Sequence, residues 1–558
     1  MDKDINCTFI WQKYERGQSY LYKIDLPDKT DKAHRFYIGD QWFGIKSGGD
    51  QLPMFNFIKP IINYKVSTVC QKSMTAVYSP MDPSNENETR ITDMVTRYFA
   101  KMWELSKMDD LSRKVVKDAA IAGDAYLYFG EGSEFKEAQI IDNINVFLGD
   151  EKDSSIQLQP YIIIRERRFV KDIRKEAEHN GIDKDDISLI VSDEDMTDQL
   201  GDKTDIDYTS SDGKCISLLY LYKDEDGFVH SIKSVRNVIY QPDKPILETY
   251  TDEDGFTAKN GLKTYPIVNF LWEDKKGSAR GAGEVEQLIP NQLEVNKTLA
   301  RRSITVKQVA FPKLVYNGTA IDDPSELDKA GAIIRVDDIN ANGVNNIISY
   351  LTPAAVAPDA KNLSDELIMV SKELAGAGDA ALGSVNPEQT SGAAIIAARD
   401  QSVLPLNDQV IRFRQFTEDI ALLWFDIWRV YNTSGIFEIT EDGAIYITPQ
   451  ELENLRFNVK VDVCDKDPYS RYAEESALGN LFSMQAITFE EYVSLLSDDS
   501  IVPKAKLTGL IEKRRQDQLK QMATQMTQGG NAYEMQNMRD GNVQGYGSNN
   551  TGGQGIQL

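Results

Sequence analysis

The sequence predicts an α+β chain of several domains, and three observations carry that reading. Its 558 residues are enough for several domains and a sizeable core. Short β-branched and aromatic runs with turn signals fill 214–272, whereas helical periodicity governs 281–310, 358–376 and 391–431. Hydrophobic residues make up 41% and charged residues 27%, the balance of an ordinary folded chain.

Up to about residue 160, aromatic-rich segments alternate with helices. In FNFIKPIINYKVSTVCQKSMTAVY, the residues Ile58, Ile61, Ile62, Val66 and Val69 repeat at helical spacing. VVKDAAIAGDAYLYFG reads as a helix ending near Gly123, then a strand through Tyr126 and Tyr128. IDNINVFLGD and PYIIIRERRF read as strands. Residues 171–213 begin as a helix and become acid-rich, as a solvated insertion does. A calcium loop fails there, because no bidentate Glu stands at the required offset.

From 214 to 272 the runs KCISLLYLYK, VHSIKSVRNVIYQ, ILETYT and YPIVNFLW read as strands. KDEDGF at 223 and TDEDGF at 251 supply Asp-Gly turn chemistry between them. A long helix follows over 281–310, which Pro290 either opens or kinks. Next comes a small αβ module: strand PKLVYN, a turn at Asn317-Gly318, helix DPSELDKAG capped by Asp322 or Asp323, and strand AIIRV. The polar DDINANGVNN leads to IISYL, and a second helix spans 358–376.

Residues 378–401, GDAALGSVNPEQTSGAAIIAARDQ, are almost without bulk. Thr390 or Ser391 then caps a helix of some forty residues, on the order of 60 Å if unbroken, which Pro405 should bend. Its residues Phe413, Phe416, Ile420, Trp424, Ile427 and Tyr431 fall three or four apart, a stripe for core packing. Strands GIFEIT, AIYIT and RFNVKVDV follow, then a largely helical block from 468 to about 520. The tail from 525 is rich in Gly, Asn and Gln and should be disordered.

The formal charge is −25 and the pI near 4.7. Non-specific nucleic-acid binders are basic, so this chain should not hold DNA tightly, although DNA could slide past it. The most apolar run, IALLWF from Ile420, is stopped by Asp426 and is too short to span a bilayer. MDKDINCTF lacks the pattern of a signal peptide. The cysteines Cys7, Cys70, Cys215 and Cys464 are scattered, which argues against a disulfide framework or zinc knuckle and suits a reducing cytoplasm.

Catalytic constellations are sparse. The three histidines, His34, His179 and His230, are far apart in sequence, and no phosphate loop or H-E-x-x-H is present. GAGDAA at 376 matches a dinucleotide fingerprint in form but ends a helix where a strand is needed, so its glycines read as a helix stop. We expect no catalytic residue, no cofactor and no metal. Lys297, Arg301 and Arg302 are either ordinary surface charges or rungs facing a nucleic acid.

The order of helix out, αβ lobe, helix back, small-residue loop and long kinked helix resembles the portal proteins of tailed bacteriophages, in particular the SPP1-like group. WQKYERGQSYLYK, YIGDQWFG (37–44), LPMFNFIKPIINYKVS, PKLVYNGTAIDDPSEL and QTSGAAIIAARDQ resemble segments of that group in the same order. The likeness covers most of 10–480; the acid-rich 171–213 and the tail have no counterpart. It implies a wing over 1–280, a first stem helix over 281–311, a clip over 312–352 and a second stem helix over 353–379. A tunnel loop over 380–390, a long kinked helix with wing strands over 391–464, a helical crown over 465–524 and a disordered tail over 525–558 complete it.

The resemblance further implies a homo-oligomeric ring of about twelve subunits at one capsid vertex of the virion, assembled in the host cytoplasm. Double-stranded DNA would pass through it during packaging and ejection. The terminase large subunit, head–tail adaptor proteins, and the major capsid and scaffolding proteins would be its partners, with no membrane involved. Gly383, Ser384, Asn386, Pro387 and Ser391 would line the channel at the loop. Lys297 and Arg301 would face it from the stem, and Asp337 and Asp338 would meet partners at the clip. The rival readings are a metal-dependent nucleic-acid enzyme using the acidic residues, or another phage head–tail ring protein.

Overall fold

Asparagines and glycines set where several helices begin and end. The Asn6 side chain accepts from the Phe9 amide at 2.8 Å and opens the helix Cys7–Lys23. Asn85 does the same for Glu86–Leu105. Leu26–Ile38, Met108–Ala122 and Asp359–Leu374 run out at Gly39, Gly123 and Gly376, all with positive φ. The computed structural model describes residues 5–45, 52–130 apart from 72 and 83, 138–193, 213–251, 257–310, 313–316, 348–351, 359–377, 404–431, 435–440 and 443–464, with short pieces between 478 and 513.

The chain divides into two units, Met1–Cys464 and Asp465–Leu558. The larger is α+β. Its main sheet is an antiparallel meander of Val146–Leu148, Tyr161–Phe169, Lys214–Lys223, Val229–Ser234 and Ile239–Pro245. Alternation along its strands feeds two cores. Ile163, Leu218 and Tyr220 pack with Ile10, Trp11 and Tyr14 of the first helix, whereas Ile162, Ile164, Leu219 and Leu221 belong to the main core. The first turn acts as its sequence indicates. Gly227 takes φ +84°, and the Asp224 carboxylate accepts from the Phe228 amide at 2.7 Å.

A second sheet pairs Asp124–Phe129 with Ala138–Ile141 and Ile267–Leu271. The helix Asn407–Tyr431 lies in the main core, where Phe413, Phe416, Ile420, Trp424 and Ile427 are buried as their spacing predicts. Asp426, which interrupts the apolar run in sequence, is buried too. It accepts from the Lys263 and Thr264 amides at 2.8 and 2.9 Å and pairs with Arg429 at 2.6 Å.

Some elements differ from expectation. Pro405 sits in the 3-10 turn Leu404–Leu406, which leads directly into the helix Asn407–Tyr431, since a proline ring disfavours a regular preceding turn; residues 391–403, where the long helix was expected to start, lie outside the described residues. VHSIKSVRNVIYQ is two strands, with Val235 and Val238 closing the turn between them. After the helix Ile58–Val69 the chain becomes the strand Ser73–Pro80, which pairs along its length with Phe457–Cys464. The periodicity expected over 281–310 and 358–376 is realised as Glu284–Ala310 and Asp359–Leu374. Pro290 does not open the first of these; it stands inside.

In the smaller unit, Thr488 and Glu491 cap the helix Phe489–Leu495 reciprocally, and the rings of Phe482, Phe489 and Tyr492 cluster.

Candidate nucleic-acid interface on a helix pair

The long helix Glu284–Ala310 starts from a tightly built corner. Gly281 and Gly283 lie against the backbone of Ile121 and Gly123, so close that a Cβ at Gly283 would stand 2.5 Å from the Ile121 carbonyl oxygen. Beneath them Arg280 is buried. Its guanidinium donates to Asp124 at 2.9 Å, to the Tyr126 hydroxyl at 3.0 Å and to the carbonyls of Asn143 (3.0 Å) and Val146. Asp124 also accepts from Tyr126 and Asn143, so the ion pair has polar partners on both sides. Burial pushes the Tyr126 phenol well above its ordinary range. At the first residue of the helix, Glu284 takes Lys65 at 2.7 Å and the Trp272 indole at 3.3 Å.

Farther along, two amides fix the helix to an extended segment. Gln292 donates to the Phe55 carbonyl at 2.6 Å and accepts from the Phe57 amide at 3.1 Å. Asn296, one turn later, accepts from the Phe55 amide at 3.1 Å and donates to the Gln41 side chain. On another side, Asn291 donates to Ser371 of Asp359–Leu374 at 3.0 Å. The chain between these helices includes Lys313–Tyr316 and Ile348–Leu351, paired antiparallel with Lys313 opposite Leu351. The two helices therefore run out and back, antiparallel.

Of the residues offered as meeting DNA, the structure describes three. Lys297 and Arg301 are both exposed, one turn apart on the face turned away from the Gln292–Asn296 clamp. The Arg301 side chain is 74% exposed and lies 3.8 Å from Glu294, a spacing at which solvent weakens the pairing. Arg302 is half-buried. Gly383, Ser384, Asn386, Pro387, Ser391, Asp337 and Asp338 lie outside the described residues, as do the acid-rich stretch 194–212, the second Asp-Gly turn and the tail from 525. The Gln292–Asn296 clamp and the buried Arg280 were missed by sequence reasoning, because their partners lie 134 to 255 positions away.

Other reactive groups carry structural partners. His230 sits between Asp243 at 3.0 Å and Asp224 at 3.2 Å, and burial lowers the His34 pKa. Burial raises the thiols of Cys7, Cys70 and Cys215, away from reactivity. Among the described residues, no group of three or more His, Cys, Asp or Glu side chains is placed to hold a metal ion, and no helix is long and apolar enough to cross a membrane.

The described residues thus give an antiparallel helix pair on an α+β body, with a few exposed cations on the first helix. The family model described as "Phage P22-like portal protein" matches residues 246–545, more than half of the chain. The chain belongs to that family: it is a portal protein of a phage virion, a structural component that works as a capsid-associated oligomeric ring. The matching model is that of P22-like portals, and it reaches past residue 525 into the polar tail. No curated protein matches the chain. Among solved structures, a chain from "Virion of native gene transfer agent (GTA) particle" is similar at 9% identity, over 84% of this chain and 93% of that one, with a TM-score of 0.35. That likeness is too distant to transfer function.

Proposed function

We propose that about twelve copies form the ring, and that the helices Glu284–Ala310 and Asp359–Leu374 surround a channel for double-stranded DNA. The supporting observation is the anchoring of the first helix. One side is clamped to the body through Gln292 and Asn296, another packs on the second helix, and the remaining face presents Lys297 and Arg301. Two cations per copy give little affinity, but repeated around a ring they become two girdles of charge. The net charge of −25 per copy repels phosphate elsewhere, so DNA is guided without being held.

In this reading residues 1–280 and 391–464 form the wing, 312–352 the clip, 380–390 the tunnel loop and 465–524 the crown. Small residues at Gly383, Ser384, Asn386, Pro387 and Ser391 let the loop ride beside moving DNA. The clip, with Asp337 and Asp338, docks the terminase large subunit and later the head–tail adaptors. The major capsid and scaffolding proteins meet the wing during assembly in the host cytoplasm.

The test is packaging. Arg301→Glu with Lys297→Glu, and separately Gly383→Trp or Ser384→Arg, should leave the ring's mass unchanged and reduce the length or amount of DNA packaged. Full-length packaging at the normal rate in all of these would contradict the channel assignment.

A further inference from the structure

The segment around YIGDQWFG and LPMFNF presents apolar side chains to solvent. Ile38, Phe43, Ile45, Met54 and Phe55 are 45–66% exposed. They form one patch: Met54 lies over Gly39, the Trp42 indole donates to the Pro53 carbonyl at 3.3 Å, and the Asn56 amide donates to the Tyr37 carbonyl at 3.0 Å. Arg35 stacks on the Phe43 ring at 3.7 Å. The Gln292–Asn296 clamp fixes the backbone at Phe55 and Phe57. A rigidly held apolar patch marks a contact surface, because little ordering remains to oppose binding.

The same chain carries a second unpartnered stripe. On Asp359–Leu374, the residues Leu363, Val370 and Leu374 are 37–78% exposed and share one helical face, beside exposed Glu366 and Glu373. The patch and the stripe lie on different flanks of the long helix. Asn291, which meets the second helix, and Asn296, which meets the patch segment, point about 140° apart around the helix axis.

We propose that the patch of Ile38, Phe43, Ile45, Met54 and Phe55 receives the stripe of Leu363, Val370 and Leu374 from a second copy of this chain. Two different surfaces on opposite flanks make a head-to-tail contact, which closes into a ring when repeated. This rests on the ring reading and adds which faces meet. Lys297 and Arg301, about 40° apart around the helix axis, then stay clear of the seam on the face turned to the channel.

The test uses two full-length variants, Phe55→Asp and Val370→Asp, followed by native mass spectrometry. Both positions are exposed, so circular dichroism and Tm should match the wild type. Each variant alone should lose the ring by at least about tenfold, the effect of an unpaired charge in an apolar contact. Mixing the two should yield mixed dimers without rings, because one copy's intact stripe meets the other's intact patch and the second seam stays broken. Where the acidic variant unfolds, Phe55→Ser and Val370→Ser replace it. A wild-type ring with either folded variant assembling normally would overturn the seam and leave the ring reading standing. A wild type that remains a monomer at all concentrations would overturn both.

Discussion

Arg280 and Asp124 form an ion pair 2.9 Å long, with the side chains 4% and 0% exposed, directly beneath the start of the long helix. Removing one partner leaves the other as an uncompensated buried charge. Arg280→Leu should therefore cost about 3–5 kcal/mol. Replacing both, as Arg280→Met with Asp124→Leu, should recover much of that loss. Chemical denaturation of the three proteins checks this; a single variant as stable as the wild type would contradict it.

The glycine corner makes a steric prediction. Ala at Gly283 has no room beside the Ile121 carbonyl, and Gly281→Ala collides with Gly123. Each should cost about 1–3 kcal/mol through forced backbone shifts. Gly277 has positive φ but open space, so Gly277→Ala should cost only about 1 kcal/mol. Thermal melts should show Gly281→Ala and Gly283→Ala each below Gly277→Ala, and Gly277→Ala as the most damaging would refute the packing account.

Burial lifts the Asp118 carboxyl to about 6, and the nearby Asp142 charge adds to the rise. A folded pKa above the unfolded one means that the native state holds the extra proton. Its stabilising contribution is present at low pH and is lost as pH rises from about 4 through about 6. Asp118→Asn removes that loss. The Tm of the variant relative to wild type should grow between pH 4 and pH 8; a constant or shrinking difference would contradict the assignment.

The clamp predicts local loosening. Gln292→Leu deletes both bonds to the Phe55–Phe57 backbone, so the Phe57 amide should exchange with solvent at least about tenfold faster. Amides in the five-stranded sheet should keep their protection. Unchanged exchange at Phe57 would mean the clamp does not hold the segment.

Much of the helical framework was legible because periodicity and end signals agreed. Ile58–Val69, Met108–Ala122 and Asp359–Leu374 lie where apolar spacing and, for the last two, a following glycine place them. The aromatic stripe from Phe413 announced a core helix, but Pro405 alone could not show that a 3-10 turn, Leu404–Leu406, leads into Asn407. The strand Ser73–Pro80 was hidden within a helical reading, since its partner is some 380 residues away. Of the interface, Lys297 and Arg301 could be singled out from charge on a helix face. The clamp could not, because Gln292 and Asn296 look like ordinary polar positions until Phe55 is beside them.

The central claim is that the face of Glu284–Ala310 bearing Arg301 lines a DNA channel at the centre of a ring. Electron cryomicroscopy of the purified full-length chain tests it most directly. The account predicts a closed ring of about twelve subunits, with this helix innermost and the Arg301 side chains in the lumen. A ring with the five-stranded sheet or the Asn407–Tyr431 helix at the lumen, or a protein that forms no ring, would contradict it.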